Sequence, residues 1–321
     1  MMKRLLMKVL LLAAAAAAGG MAEAAEPEVL HVTPVRPMVR LVSDVVYAQV
    51  PQQGYASVPM TMDLLLPPGE GPHPAIIYIT GGGFLSANKD NGLQLRMDLA
   101  EAGYAVASIT YRTAPLGRFP QPLEDVKSSI RYLRSHAASW HIDPDRIGVL
   151  GGSAGGYLAA MAGVTNGTSR FDKGENLHVT SDVQAAAELY GVTDLTKIGA
   201  DYSEEVQRKH QSPGASEALW VNGSPVFGGV DGGVGADPAA LAAAQPVSYI
   251  SEKTPPFLIM HGDQDQLVSP SQARILAEAL EDLGVPVTRY VVQGAAHGGP
   301  YWVQPEVEEV ILRFFDRYLK K

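Results

Sequence analysis

The segment at residues 151–156 reads Gly-Gly-Ser-Ala-Gly-Gly and places Ser153 in the pattern G-x-S-x-G. A short apolar run at residues 147–150 precedes it, and a good helix-forming sequence begins at Tyr157. This pattern predicts a tight strand–turn–helix connection, since glycines let the strand and helix approach and the middle residue is strained. Such a turn projects the serine hydroxyl from the end of the strand, as a nucleophile requires. The turn could instead bind a phosphate, but neither a G-K-[ST] signature nor a later acidic ribose ligand supports that interpretation.

A serine nucleophile needs a base, and the base needs a group that orients it. His297 follows a predicted strand at residues 286–292, and both Asp263 and Asp265 follow a predicted strand at residues 256–261. The chain order Ser, Asp, His and the positions after strand ends suit a catalytic triad in an open α/β sheet. Spacing does not decide between the aspartates. Because Asp263 can tighten the turn through an Asx interaction, we favour Asp265 as the residue that orients His297.

Hydrolysis through a serine also needs backbone N–H donors for the negative charge that develops on the carbonyl oxygen. Three consecutive glycines, at residues 81–83, follow a predicted strand at residues 75–80. In isolation they would indicate only a flexible loop. Their place after an early strand, together with the serine turn, leads us to expect that the amides of Gly82, Gly83 and Ala154 form an oxyanion hole.

The elements that must hold these residues alternate between strands and helices. Short runs rich in β-branched residues predict strands, at residues 45–50, 60–66, 75–80, 104–110, 147–150, 185–190, 256–261 and 286–292. Leu123, Val126, Ile130 and Leu133 form one apolar helical stripe. Ser269 to Gln272 predict a helix start with a capping box, and a last helix starts near residue 305. We therefore predict an α/β fold with a mainly parallel sheet and helices on both faces.

Taken together, the serine turn, the glycine loop, the loop at residues 261–265 and His297 resemble the α/β-hydrolase superfamily. In particular, they resemble bacterial carboxylesterases of the feruloyl/acetylxylan esterase type near the hormone-sensitive-lipase-like group. The resemblance extends over about residues 44–319 and includes the segments at 119–126 and 142–148. It implies the α/β-hydrolase fold and a catalytic role for Asp265. The chain departs from the family pattern at Thr80, where the family commonly has histidine before the glycines.

The N-terminal segment suits export. A basic start, an apolar run at residues 9–18 and the small residues Ala22 and Ala24 predict a signal peptide over residues 1–24. We expect a leader at residues 25–43 and a catalytic domain at residues 44–321, with periplasmic or secreted localisation and no stable membrane anchor after cleavage.

One stretch interrupts the alternation of strands and helices. Residues 194–245 predict a lid-like insertion, because a long irregular segment in a compact α/β domain usually has a function. Phe84, Trp220 and Trp302 are candidates for substrate contact. The alternative is that the aromatic residues only pack the insertion onto the core.

Composition excludes several other functions. The 321 residues are 46% hydrophobic and 18% charged, which is typical of a globular protein rather than a disordered or multi-span membrane protein. The net charge of −9 and the lack of a basic run beyond the N-terminus argue against nucleic acid as a partner. The absence of cysteine excludes disulfides and thiolate chemistry. We expect neither a metal nor a cofactor.

These features predict a serine hydrolase that acts through an acyl-enzyme on small or carbohydrate-linked esters, with acetyl and feruloyl groups implied by the resemblance. Two alternatives stay open. One is a peptidase similar to prolyl oligopeptidase, which would use the same triad on an amide bond. The other is a catalytically silent binding protein with the same fold, although such proteins usually lose a triad residue and this chain has all three candidates.

Overall fold

The computed structural model describes residues 27–320, so the predicted signal peptide at residues 1–24 lies outside the described residues. Residues 27–35 contain neither helix nor strand. The unit that begins at Arg36 is built on an eight-stranded sheet. Its strands are β1 (Arg40–Gln52), β2 (Tyr55–Leu66), β3 (His73–Ile79), β4 (Ala105–Ile109), β5 (Ile142–Gly152), β6 (Ala185–Leu189), β7 (Phe257–Gly262) and β8 (Val287–Val292).

The spatial order of the strands is β1-β2-β4-β3-β5-β6-β7-β8. The first two strands form an antiparallel hairpin and β2 runs antiparallel to β4, whereas every pair from β4 to β8 is parallel. The inner strands are mostly apolar and fully buried, as β4 and β6 illustrate, because helices cover both faces of a parallel sheet. The carboxyl ends of β3, β5, β6, β7 and β8 therefore meet at one edge.

Helices connect the strands. They are α1 (Leu93–Glu101), α2 (Gln121–Ser135), α3 (Ala137–Trp140), α4 (Ala154–Val164), α5 (Glu204–His210), α6 (Ser216–Asn222), α7 (Pro238–Ala243), α8 (Ser271–Asp282) and α9 (Pro305–Leu319). The predicted apolar stripe of α2 is fully buried, which confirms its periodicity. The last helix begins at the predicted proline.

Two clusters of buried side chains form the core. One contains residues of α2, α4 and α8, and the other contains residues of α1 and α9. Neighbouring residues of a strand, such as Ile76 and Ile77 of β3, belong to different clusters. Because successive side chains of a strand point to opposite faces, the clusters lie on the two sides of the sheet, and the predicted α/β class is confirmed.

The N-terminal leader is shorter than the sequence predicts. The first strand begins at Arg40, inside the expected leader at residues 25–43, because residues 40–42 continue the antiparallel register with residues 64–66 of β2. Between residues 27 and 320, no helix is long and apolar enough to cross a membrane.

The insertion at residues 194–245 contains α5, α6 and α7 rather than only irregular chain. These helices are too short to produce a recognisable periodicity. The predicted capping box of α8 is also wrong, since the residue before the helix makes no capping hydrogen bond and the Ser271 amide donates to the Asp201 carboxylate. Instead, the buried Gln272 amide accepts hydrogen bonds from the Thr193 and Asp194 amides and donates one to the Lys197 carbonyl oxygen. This residue therefore holds the start of the insertion against α8.

Candidate active site

Ser153 occupies a strained turn between β5 and α4. Its backbone lies at φ 56° and ψ −125°, and its amide donates a hydrogen bond to the Leu189 carbonyl oxygen at 2.9 Å. The turn depends on glycine, since a Cβ at Gly151 would overlap the Gly155 carbonyl oxygen and one at Gly155 would overlap the Ile79 carbonyl oxygen. The strain exposes the serine side chain at the carboxyl edge of the sheet.

His297 contacts both of its expected partners. The Ser153 Oγ lies 2.8 Å from His297 Nε2, and His297 Nδ1 lies 2.8 Å from Asp265 Oδ2. An imidazole protonated at Nδ1 donates to the carboxylate and accepts the serine O–H at Nε2. This tautomer leaves Nε2 free to take the serine proton.

Asp265, rather than Asp263, is the carboxylate that faces His297. Asp265 is buried, and its Oδ1 accepts hydrogen bonds from the Leu267 and Val268 amides. The exposed Asp263 accepts a hydrogen bond from the Gly294 amide at 2.7 Å and so ties two loops together. The structure thus separates two aspartates that spacing could not distinguish.

Hydrogen bonds keep Asp265 ionised. Burial alone would raise its pKa, but hydrogen bonds from His261, His297 and the Val268 amide outweigh burial and hold the pKa well below the usual range. An anion at this position stabilises the imidazolium that forms when His297 takes a proton.

Two further residues at this centre are not among those that the sequence predicts. His261 Nε2 lies 3.0 Å from Asp265 Oδ2 and 3.1 Å from the Val268 carbonyl oxygen, so a proton on Nε2 serves both acceptors. Tyr190 packs edge-on against His297, with ring centroids 5.0 Å apart. Each residue lies at the carboxyl end of its strand or directly after it, which is the signal that could have identified both.

The three predicted oxyanion donors lie beside the serine. Gly82 and Gly83 line a cavity with Ser153 and His297, and Gly83 and Ala154 line a second cavity with Ser153. Within residues 27–320, no acceptor pairs with the amides of these three residues. Free amides next to a nucleophile can stabilise an oxyanion.

The two cavities differ in size. The large cavity has a volume of about 410 Å³ and includes Tyr190, His297 and Trp302 in its wall. The small cavity has a volume of about 80 Å³ and includes Phe84, Val192 and residues of α5 and α6. Ser153 lies between them and contributes to both walls.

The three predicted aromatic contacts have different surroundings. Trp302 lines the large cavity and donates its indole N–H to the Ala296 carbonyl oxygen, while Phe84 lines the small cavity. The expectation for Trp220 is wrong, because this side chain is fully buried and contributes to the wall of neither cavity. Its ring packs 4.5 Å from that of Phe84 and therefore supports the cavity wall from behind.

Comparison with known proteins identifies one family and several similar esterases. The sequence model of the BD-FAE family matches residues 62–280, which is more than half of the chain. Esterase LipQ of Mycobacterium tuberculosis is 31% identical over 225 residues, which cover 70% of this chain and 49% of LipQ. The probable isoprenylcysteine alpha-carbonyl methylesterase ICMEL1 of Arabidopsis thaliana is 27% identical, over 74% of this chain and 48% of its own length. The chain spans about half the length of these curated relatives.

Solved structures share the fold over most of their length. A truncated carbohydrate esterase from gut microbiota has a TM-score of 0.74 and 27% identity, over 88% of this chain and 97% of that one. Esterase Est2 of the planctomycete Thermogutta terrifontis has a TM-score of 0.64 and 24% identity, over 88% and 92% of the two chains, and supports the fold alone.

Proposed function

The chain belongs to the BD-FAE family, and from this membership we propose that it is a serine hydrolase of carboxylic esters. One observation carries the proposal. A single imidazole, that of His297, lies 2.8 Å from both the Ser153 hydroxyl and the Asp265 carboxylate. This arrangement is the one that activates a serine for acyl transfer.

In the proposed first step, Ser153 Oγ attacks the ester carbonyl carbon while His297 Nε2 takes the hydroxyl proton. The carbonyl π electrons move to oxygen, and the amides of Gly82, Gly83 and Ala154 stabilise the resulting oxyanion. The C–O bond to the alcohol then breaks, and His297 returns the proton to the departing alkoxide. The products are an acyl-serine and a free alcohol.

In the second step, His297 removes a proton from water, and the oxygen of the water attacks the acyl-serine carbonyl. The bond to Ser153 Oγ breaks, the serine regains a proton from the imidazolium, and the carboxylic acid leaves. Asp265 remains ionised throughout and stabilises the imidazolium in both steps.

The proposed substrates are small or carbohydrate-linked esters. The names of similar structures support this class, since they include a carbohydrate esterase and a bifunctional GH43-CE protein of Bacteroides eggerthii, both 27% identical to this chain. We also propose that the protein is exported, on the basis of the basic and apolar pattern at residues 1–24.

Turnover of several substrates by wild type and Ser153→Ala tests the proposal. Suitable substrates are 4-nitrophenyl acetate, acetylated xylan, methyl ferulate and a peptide amide. Ester hydrolysis should fall at least about a thousandfold in Ser153→Ala. Ser139→Ala, which changes an exposed serine of α3, is the matched control. Cleavage of the amide alone would favour the peptidase, and no turnover of any substrate would favour the binding protein.

A further inference from the structure

We infer that the small cavity beside Ser153 is the acyl site and that its size, limited by the His210–Glu217 pair, restricts the enzyme to short aliphatic acyl groups. This inference rests on the proposed ester hydrolysis. Of the acetyl and feruloyl groups that the resemblance implies, it favours acetyl. It also assigns acyl-chain specificity to His210 and Glu217 of the insertion.

The position of His297 decides which cavity receives which half of the ester. In acylation, the imidazolium of His297 gives its proton to the departing alkoxide, so the alcohol must leave on the side of His297. His297 lines the large cavity, whereas no part of it is among the described residues that line the small cavity. The alcohol, including a carbohydrate, therefore occupies the large cavity, and the acyl group extends into the small one.

The volume of the small cavity excludes an aromatic acyl group. It measures about 80 Å³. A cavity of roughly 150 Å³ holds one benzene ring, and a water molecule has a share of roughly 30 Å³ in the liquid. The small cavity thus has room for a short aliphatic chain but not for the substituted ring of a feruloyl group.

The wall of this cavity is firmly supported. Phe84 packs against the buried rings of Trp220 and Tyr157, with centroids 4.5 and 5.6 Å away. Val192 and Ile198 supply further buried apolar surface. A closely packed wall cannot widen for a longer chain without a loss of packing energy.

A polar pair with a buried carboxylate completes the wall on the side of the insertion. His210 of α5 and Glu217 of α6 both line the small cavity, and His210 Nδ1 lies 2.6 Å from Glu217 Oε1. Glu217 is only 3% exposed, and its second oxygen accepts a hydrogen bond from Ser216. A longer acyl chain would have to separate this pair and deprive the buried carboxylate of its histidine partner, which is costly.

A series of 4-nitrophenyl esters tests the inference, because every member has the same leaving group and only the acyl chain changes. The series runs from acetate through butyrate, hexanoate and octanoate to ferulate, with rates normalised to alkaline hydrolysis. In the wild type, kcat/KM should fall by about tenfold or more for each methylene beyond the limit of the cavity, and ferulate should be among the poorest substrates.

Two variants should widen the acyl site. The double variant His210→Ala/Glu217→Ala removes both members of the pair, so that neither is left buried alone. Ile198→Ala shortens an apolar side chain of the wall, which enlarges the cavity and leaves the His210–Glu217 pair in place. It provides a second test if the double variant does not fold. Each should raise the ratio of hexanoate to acetate turnover by about tenfold. The control Glu205→Ala/Lys209→Ala removes an exposed ion pair of the same helix α5 and should leave the ratio unchanged.

The outcomes separate this inference from the proposed function. Equal wild-type turnover of acetate, octanoate and ferulate would overturn the acyl assignment while supporting ester hydrolysis. An unchanged acyl profile in folded samples of both widened variants would also overturn it. If the wild type hydrolysed no ester at all, the proposed function would fail and the acyl assignment with it.

Discussion

His261 donates a hydrogen bond to Asp265 across 3.0 Å, and it does so at Oδ2, the carboxylate oxygen that also faces His297. The backbone amides of Leu267 and Val268 bind the other oxygen, Oδ1. The carboxylate is therefore fixed from three directions before substrate arrives. Fixed geometry and a stable charge at this position both favour the transfer of the serine proton to His297.

Substitution of Asp265 and substitution of Asp263, in the loop after β7, should have very different effects on kcat. Asp265→Asn replaces the carboxylate at His297 with an amide that does not hold the imidazole in its Nδ1–H tautomer, so kcat should fall by about 10³–10⁴. Asp263→Asn is the matched control and should change kcat little, because Asp263 contacts the Gly294 amide rather than His297. Steady-state hydrolysis of 4-nitrophenyl acetate measures both. Similar losses in the two variants would contradict the assignment.

His261 should act as a positioning residue. His261→Ala removes one hydrogen bond to a charged group, worth about 1.5–3 kcal/mol, so kcat should fall by about 10- to 100-fold with little change in KM. His261→Gln retains an N–H donor and should restore part of kcat. Thermal unfolding of each variant shows whether the effect is only a loss of stability.

Glu188 should make stability fall with rising pH. Burial raises the pKa of this carboxyl from 4.5 to about 7, although His261 and the Gly191 amide act in the opposite direction. Between these values the folded state binds more protons than the unfolded state, so the free energy of unfolding decreases as pH rises. The full effect is about 3 kcal/mol.

Glu188→Gln removes this titration and should gain stability relative to the wild type as pH rises from 4.5 through 7. Urea unfolding at several pH values measures the difference. Glu278→Gln, which changes an exposed carboxylate of α8, is the control and should show no such trend. A difference between Glu188→Gln and wild type that did not vary with pH would contradict the prediction.

Removal of one partner of a buried ion pair should lower stability strongly. The Arg112 guanidinium binds Asp125 through its Nε and Nη2 atoms at 2.8–3.1 Å, and both side chains are buried. Asp125→Ala leaves the guanidinium without its main partner and should lower the free energy of unfolding by about 3–5 kcal/mol.

The double variant Arg112→Met/Asp125→Leu removes both charges and should be more stable than Asp125→Ala, because no buried charge is left unpaired. Urea unfolding of the two variants and the wild type compares the three free energies. If the double variant were less stable than the single one, apolar packing rather than charge pairing would control this site.

Local patterns were sufficient for much of the fold. The eight predicted strands, the apolar stripe of α2 and the turn at Ser153 all correspond to structure, because each depends on neighbouring residues. Gln272 shows where such patterns fail. Its position near a helix start indicated a cap, yet its amide binds the chain about 80 residues earlier.

By itself, the sequence determined the α/β class, the serine turn and the chain order of Ser153, the aspartates and His297, since strand periodicity and glycine turns are encoded locally. Only the tertiary structure decided that Asp265 faces His297, that His261 supports it and that Trp220 lies behind Phe84. It also decided the volumes of the two cavities. These properties depend on distances between residues far apart in the chain, which arise only when the helices and strands pack together.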